Sequence, residues 1–208
     1  MRLEDILQQW ENYLINIIQP VIQKTGSKLE GNIHSEGGKY NSCDSLINKR
    51  ENISRLVTNA PNGTEVLEIG FNAGYSSLLM LMSNSGIKLT CTDINSHPYT
   101  SKCYERIKQD YPNIDMIYGS SINVLPSLHK QNKFYDIIHI DGGHARHIVK
   151  ADLSNSLKLS KSGTYLIVDD TNLEYINKEC DILISNNRAI DTNVTNGTEY
   201  KHRILRVL

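Results

Sequence analysis

Apolar residues follow two different spacings along the chain, and the changes between them mark the expected elements. Residues 3–21 place an apolar side chain every three or four positions, which predicts an amphipathic helix, and residues 45–58 predict a second one. Further along, short apolar runs alternate with helical segments; the runs cover 66–69, 88–92, 114–118, 135–140 and 164–168. Short runs of this kind are typical of strands that are buried on both faces of a parallel sheet.

The alternation of strands and helices indicates the fold class. Five strand–helix units in succession predict a doubly wound, Rossmann-like α/β sheet that is mostly parallel. Two later strands, 188–194 and 199–207, flank an Asn196-Gly197 pair that favours a tight turn, so we predict a seven-stranded sheet with an antiparallel C-terminal hairpin. We expect a single domain over 1–208, with N-terminal helices and a loop in 1–60 and the Rossmann-like core in 61–208.

A glycine-rich stretch interrupts the helical spacing between residues 25 and 44. It contains four glycines and many small polar residues, which predicts a loop. Long loops in compact domains often close over a ligand, but a surface connection has the same composition, so both interpretations of residues 36–40 stay open. The N-terminal helix also has two interpretations, because Trp10 suits either the edge of the core or a contact in a homodimer.

The composition narrows the class of protein and its partners. A hydrophobic content of 39%, a charged content of 22% and a net charge of −1 are ordinary for a globular protein and predict no general attraction to nucleic acid or anionic membranes. We find no run of about 18 apolar residues and no secretion signal. The four cysteines form no CxxC pair, so we expect reduced thiols in a cytoplasmic protein.

The first predicted strand leads into a glycine turn that is typical of a nucleotide site. Gly70 and Gly74 follow the strand directly, and Tyr75 begins the helical spacing of the next segment. Glycines at this point let the backbone turn sharply and approach a ligand closely. Glu68 precedes the turn, and the next strand ends on Asp93, at about the 20-residue offset where such folds place a ribose-binding carboxylate.

Several acidic and polar residues occur where the predicted strands end. Ligands of open α/β sheets bind outside the carboxyl ends of the strands, so we expect one crevice to contain Glu68, Asp93, Gly119, Ser120, Asp141, His144, Asp169 and Asp170. So many carboxylates repel one another unless positive charge is present. A cationic ligand is one source of that charge. A divalent ion held by Asp141, Asp169 and Asp170 is another, and such ligands favour Mg²⁺, Mn²⁺ or Ca²⁺.

Two histidines lie close to the expected ion. His144 follows Asp141 by three residues, across two glycines, on a predicted loop. A neutral imidazole can take a proton near pH 7, so we expect His144 to act as a general base. His139 lies inside the strand on the same face as Asp141. We expect His139 to be packed; a position just behind the metal ligands is the alternative.

These motifs resemble those of class I S-adenosylmethionine-dependent methyltransferases over roughly Val66 to Leu208. EIGFNAG at 68–74 is similar to their first motif, Asp93 to the ribose-binding acid, and GSS at 119–121 to the turn beside the adenine. Within the class, HIDGGH at 139–144 and VDD at 168–170 resemble the metal-dependent O-methyltransferases. The most similar subgroup acts on sugar hydroxyls of macrolide-type natural products and includes cephalosporin-hydroxylase-like proteins.

The resemblance implies a role for each candidate residue. Residues expected to bind S-adenosylmethionine are Glu68, Gly70, Gly74, Tyr75, Ser76, Asp93, Ser120 and Asp141. Mg²⁺ or Mn²⁺ would be held by Asp141, Asp169 and Asp170, and catalysis would fall to His144 as the base together with Asp141. The expected reaction is methyl transfer to a hydroxyl of a small molecule, such as a nucleotide sugar or a glycoside.

Four other functions share parts of this pattern. Catechol and caffeoyl-CoA methyltransferases resemble this sheet but carry Asp-Asn where this chain has Asp169-Asp170, which counts against a catechol or phenol acceptor. A nicotinamide dehydrogenase would more often show G-x-G-x-x-G, which is absent here. A non-catalytic nucleotide-binding Rossmann protein has no need of a metal and a base. A nucleic-acid methyltransferase is disfavoured because the chain has no basic patch and no NPPY-like stretch.

Overall fold

The computed structural model describes residues 2–35, 46–192 and 202–208. Within these ranges the strands are Glu65–Ile69 (β1), Lys88–Asp93 (β2), Ile114–Tyr118 (β3), Tyr135–Ile140 (β4), Ser160–Asp169 (β5), Ala189–Asp191 (β6) and His202–Val207 (β7). They form one seven-stranded sheet in the order β3-β2-β1-β4-β5-β7-β6. The first five strands are parallel to their neighbours, and β7 is antiparallel to β5 and β6. The predicted fold class is confirmed, while the Asn196-Gly197 turn lies outside the described residues.

Helices cover both faces of this sheet. In the described part of the chain they are Leu3–Tyr13 (α1), Gln19–Gln23 (α2), Ile47–Thr58 (α3), Tyr75–Ser83 (α4), Thr100–Asp110 (α5), Ser121–Lys130 (α6), Arg146–Lys158 (α7) and Glu174–Ser185 (α8). A separate hydrophobic core lies on each face of the sheet, and successive strand residues point to opposite faces. Val66 packs in the core with α1 and α3 to α5, whereas Leu67 packs in the core with α6 to α8. None of the helices in the described ranges has the length and apolar content needed to cross a membrane.

The predicted N-terminal helix is continuous through a wider turn. A π-helical segment, Leu14–Ile18, joins α1 to α2, and the Gln19 N–H donates to the carbonyl of Leu14 five residues back. Pro20 follows at the start of α2. Because proline has no N–H and its ring crowds the preceding turn, the wider turn lets the helix continue past it.

The apolar stripe of the N-terminal helix faces the core of its own chain. Ile6, Trp10, Leu14 and Ile18 are at most 2% exposed. Trp10 Nε1 donates to the Tyr75 carbonyl at 2.9 Å, which ties α1 to the start of α4. This helix therefore covers the core, which was one of its two predicted roles. A homodimer stays a prediction, and Trp10 is not available to form it.

One predicted turn lies inside a strand. The sequence Lys161-Ser162-Gly163 predicts a turn, whereas β5 runs unbroken from Ser160 to Asp169. The pairing between β4 and β5 shifts register between Tyr135 and Ile137, and Gly163 has a φ of +95°. The glycine and its polar neighbours therefore accommodate an irregularity within the strand instead of ending it.

Candidate active site

A crevice of about 580 Å³ lies at the carboxyl ends of β1, β2, β4 and β5. The predicted site residues on its wall are Gly70, Tyr75, Ser76, Asp93, Ser120, Asp141, His144, Asp169 and Asp170. Two predicted donor-binding residues, Glu68 and Gly74, do not line the crevice and lie behind that wall. The parallel strands therefore bring most of the predicted residues to one place, as expected for an open α/β sheet.

The glycine turn after β1 has a backbone that requires glycine. Gly70 has a φ of +95°, and a Cβ built on it would lie 2.7 Å from the carbonyl carbon of Asp141. Gly74 has a φ of +76°, and its Cβ would lie 2.7 Å from Ile107 Cδ1. The left-handed backbone disfavours a side chain at both positions, and at Gly70 the close neighbour is main chain, which cannot move aside, whereas at Gly74 it is the end of a side chain. The turn after β1 thereby packs directly on the loop that carries Asp141.

Asp93 holds the glycine turn in place. Its Oδ2 accepts hydrogen bonds from the backbone N–H groups of Phe71 at 3.0 Å and Asn72 at 2.8 Å. Its Oδ1 accepts from the N–H of Asn95 at 2.6 Å. The predicted role of Asp93 is ribose binding, and these contacts add a second role that the sequence did not reveal. The same carboxylate that faces the crevice also shapes the turn beside it.

Glu68 is fully buried beneath the turn. Its exposed fraction is 0%, and its carboxylate accepts hydrogen bonds from the hydroxyls of Ser76 and Ser77 at the start of α4. Its Oε1 also lies 3.0 Å from Nδ1 of His139, which is likewise 0% exposed. Glu68 therefore connects β1, α4 and β4, and it reaches the crevice through Ser76.

The N-terminal segment supplies one side of the crevice. Tyr75 packs edge-on against Trp10 and His34, with ring centroids 6.4 Å and 6.2 Å away. Asn72 Nδ2 donates to the carbonyl of Gly31 at 2.7 Å, which ties this segment to the glycine turn. Residues 30–33 line the crevice. Residues 36–40, for which a lid and a surface connection are the two interpretations, lie outside the described residues.

The acidic residues at the ends of β4 and β5 form two neighbouring clusters. One contains His139, Asp141 and Asp169, the other contains Asp141, His144 and Asp170, and in each the potential ligand atoms lie within 4.8 Å of one another. The predicted trio of metal ligands is thus divided between two clusters that share Asp141. Burial raises the pKa of Asp141, and nearby Lys49 and His139 offset this rise only in part. Oxygen-rich clusters with a buried carboxyl group fit a divalent cation.

Lys49 is a site residue that the sequence analysis missed. It lies on α3, is 5% exposed and lines the crevice, and its ammonium group bonds Asp169 Oδ2. The two residues are 120 positions apart in the chain. The repulsion expected among the carboxylates is therefore relieved in part by a lysine of the protein itself. No local motif marks this lysine, which stands in an ordinary amphipathic helix.

His144 stands at the open side of the same group of residues. Its side chain is 56% exposed, and its Nε2 lies 2.6 Å from Asp170 Oδ2. The hydrogen bond to Asp170 raises the pKa of His144 above its usual value, and burial opposes this rise. Asp170 has a φ of +53°, a left-handed conformation that is uncommon outside glycine. An imidazole held by a carboxylate beside a crevice is suited to accept a proton from a bound molecule.

Asp152 of α7 is a buried acid below the loop that carries Asp141 and His144. It is 1% exposed, and burial raises its pKa to about 6 against an opposing hydrogen bond with Ser121. An acid with a raised folded pKa destabilises the fold at higher pH, because the unfolded chain ionises more readily. We expect Asp152→Asn to increase the free energy of unfolding by about 1–3 kcal/mol at pH 8.

Urea denaturation at two pH values tests this expectation. At pH 4 the folded carboxyl group is largely protonated, and the unfolded one is about half protonated, so the variant should gain little there. A gain of equal size at both pH values would show that the charge of Asp152 is not the cause.

Comparison with solved structures identifies proteins of similar fold. A candidate O-methyltransferase from Klebsiella pneumoniae shares 18% sequence identity, with a TM-score of 0.62 over 97% of this chain and 98% of that one. An O-methyltransferase from Bacillus cereus, solved in complex with SAH, shares 18% identity, with a TM-score of 0.60 over 97% and 99%. A candidate caffeoyl-CoA O-methyltransferase from Staphylococcus aureus shares 17%, with a TM-score of 0.61 over 95% and 98%.

Sequence comparison identifies the family. No curated protein matches the chain. A family model described as "Methyltransferase domain" matches residues 67–171, just over half of the chain, from the middle of β1 to the residues after β5. These are the segments that build the glycine turn, Asp93 and the clusters around Asp141. The chain therefore belongs to the methyltransferase domain family, and its fold is that of the O-methyltransferases to which it is similar.

Proposed function

We propose that this methyltransferase transfers its methyl group to a hydroxyl of a small molecule, and that a divalent metal ion holds the acceptor. The observation that carries the proposal is the arrangement around Asp141. Its backbone packs against Gly70 of the predicted donor site, and its carboxylate lies in both clusters, one of which contains His144. A donor site, an oxygen-rich cation site and a candidate base therefore share one crevice.

The donor is assigned to the side of the crevice near β1 and β2. Gly70 and Gly74 allow the methionine portion to approach the backbone, and Tyr75 and Ser76 wall it at the start of α4. Asp93 binds the ribose: a carboxylate has about four acceptor positions, and three of them accept backbone N–H groups, which leaves one on Oδ1 for a charge-assisted hydrogen bond from a ribose hydroxyl. Ser120 lies at the start of α6, where the adenine is expected. Glu68 supports this site from behind through Ser76.

The metal ion is assigned to Asp141, Asp169 and Asp170, with Mg²⁺ or Mn²⁺ as the candidates. A divalent ion supplies one kind of chemistry here, because it lowers the pKa of a coordinated hydroxyl and fixes its position. Asp170 also holds the His144 ring at 2.6 Å, so cation binding and base orientation depend on the same carboxylate. The carboxylate oxygens of the two clusters favour such hard cations.

The reaction itself is an in-line displacement. The acceptor oxygen attacks the methyl carbon, the bond from that carbon to the sulfonium sulfur breaks, and the sulfur takes the electron pair. His144 accepts the hydroxyl proton. The donor already carries the driving force, so the protein contributes mainly by alignment and by removal of that proton.

We assign the acceptor to the sugars or sugar-containing metabolites. Support comes from the motif DGGH at 141–144 together with the acidic pair Asp169-Asp170, a combination that resembles the sugar O-methyltransferases. A phenolic acceptor is the alternative, because a candidate caffeoyl-CoA O-methyltransferase is among the similar structures. Asp170 stands where catechol-type enzymes have asparagine, which favours the sugar. A cytoplasmic location and a homodimer stay predictions.

Acceptor screening with labelled donor tests the proposal. Purified protein is incubated with labelled S-adenosylmethionine and panels of nucleotide sugars, glycosides and phenols, with Mg²⁺ or with a chelator. We expect label on a sugar hydroxyl with Mg²⁺ and little with the chelator. Equal turnover in both conditions would contradict the metal, and transfer only to phenols would contradict the sugar. Donor product should raise the melting temperature, whereas NAD should not.

A further inference from the structure

His139 has a buried ring nitrogen that the contacts described so far do not use. The residue is 0% exposed, and its Nδ1 lies 3.0 Å from Glu68 Oε1. Its Nε2 is buried and has no hydrogen-bond partner in the described part of the chain. Leaving such an atom unsatisfied costs about 1–3 kcal/mol, so it is expected to have a partner when the protein is in its working state.

The neighbours of His139 are carboxylates. A ring nitrogen of His139 lies within 4.8 Å of ligand atoms of both Asp141 and Asp169. Since Nδ1 is engaged by Glu68, Nε2 is the nitrogen that is available to bind an ion there. Asp141 and Asp169 end their strands on the same side of the sheet, and β4 and β5 are adjacent and parallel. The geometry is that of one imidazole and two carboxylates around one point.

We infer that His139 Nε2 is a metal ligand together with Asp141 and Asp169, and that the site selects a divalent transition-metal ion over Mg²⁺. Imidazole is a good ligand for Fe²⁺, Ni²⁺, Cu²⁺ and Zn²⁺, whereas Mg²⁺ prefers oxygen. Glu68 then has a defined task. A carboxylate that accepts from the other ring nitrogen fixes the tautomer and the orientation of a metal-binding histidine.

This inference rests on the proposed cation site but not on methyl transfer. It changes the assigned ligand set, because His139 joins Asp141 and Asp169 on the buried side, while Asp170 stays with His144 on the exposed side. Lys49 contacts Asp169 Oδ2. An ion that binds Asp169 therefore shares that carboxylate with the lysine, whose positive charge opposes the binding of a second cation.

Pulsed electron paramagnetic resonance of the Mn²⁺-loaded protein tests the inference directly, because it detects a nitrogen bound to the metal. The two clusters each contain one histidine, so His139→Gln and His144→Gln form a matched pair. We expect a nitrogen coupling in the wild type and in His144→Gln, and none in His139→Gln. A coupling that disappears in His144→Gln, or no coupling in the wild type, would overturn the inference. Both of these results are measured on the wild type and His144→Gln, so they do not depend on whether His139→Gln folds.

Metal selectivity provides a second measurement. We expect the wild type to bind Ni²⁺ at least about tenfold more tightly than Mg²⁺, and His139→Gln to lose most of that preference. The exposed His129 of α6 does not line the crevice, so His129→Gln should behave as the wild type. Equal preference in wild type and His139→Gln would contradict the inference. Metal-dependent turnover without a nitrogen coupling would support the proposed function and contradict the assignment of His139 as a ligand. A nitrogen coupling without turnover would support that assignment and contradict the proposed function.

Discussion

Replacing His144 with alanine is expected to lower the rate of methyl transfer by about 10²–10⁴-fold, the usual contribution of a positioned general base. The side chain is 56% exposed and contacts Asp170, and the hydrogen bonds between Asp93 and the glycine turn do not involve it. Donor binding should therefore stay close to that of the wild type. Turnover with labelled donor and calorimetric titration with donor product measure the two quantities separately.

His147 is a suitable control for this variant. It lies three residues further along, is exposed and does not line the crevice, so His147→Ala should retain wild-type turnover. If His144→Ala transferred methyl groups at the wild-type rate, His144 would not be the base. If it lost donor binding instead, the residue would belong to the donor site.

Replacing Gly70 with alanine is expected to cost about 3 kcal/mol or more of folding stability and to abolish donor binding. The cost has two parts. A left-handed backbone at φ +95° disfavours any side chain, and the new Cβ would lie 2.7 Å from the carbonyl carbon of Asp141 and closer still to its oxygen. That oxygen belongs to the main chain and cannot turn away, so the glycine turn and the loop after β4 must separate.

Gly63 separates the two parts of this cost. It has a φ of +85°, yet a Cβ built there would meet nothing within 4 Å. Gly63→Ala should therefore lose only the folding stability that the left-handed backbone costs a side chain, about 1–2 kcal/mol. It should still bind donor product. Denaturant unfolding and calorimetry of both variants make the comparison. Equal losses in the two proteins would show that the contact between Gly70 and Asp141 contributes little.

Much of the fold could be predicted from local patterns. Short apolar runs identified five strands, and their alternation with helical spacing indicated a parallel sheet with helices on both faces. The failure at 161–163 is also local in origin. A turn and an irregular segment of a strand can both consist of glycine and polar residues, so the local sequence does not distinguish them. The pairing of β5 with β4 does.

The positions of the site residues followed from the same logic. A residue that ends a parallel strand must lie at the edge where the other strands end, so Asp93, Asp141 and Asp169 could be placed in one crevice without coordinates. Glu68 is the exception among the acids. It lies inside β1, before the strand ends, so its side chain does not reach the crevice. Ser76 and His139 surround it there.

By itself, then, the sequence determined the order of the elements, the glycine turn and the edge at which the polar residues meet, because each depends on spacing between near neighbours. Only the tertiary structure decided which charges touch. Lys49 reaches Asp169 across 120 residues because α3 packs on α1 and α4 and contacts β7 through Asn52 and His202. The division of the carboxylates into two clusters depends on side-chain directions at strand ends. Contacts of this range leave no periodic signal in a single chain, since any exposed helix can carry a lysine.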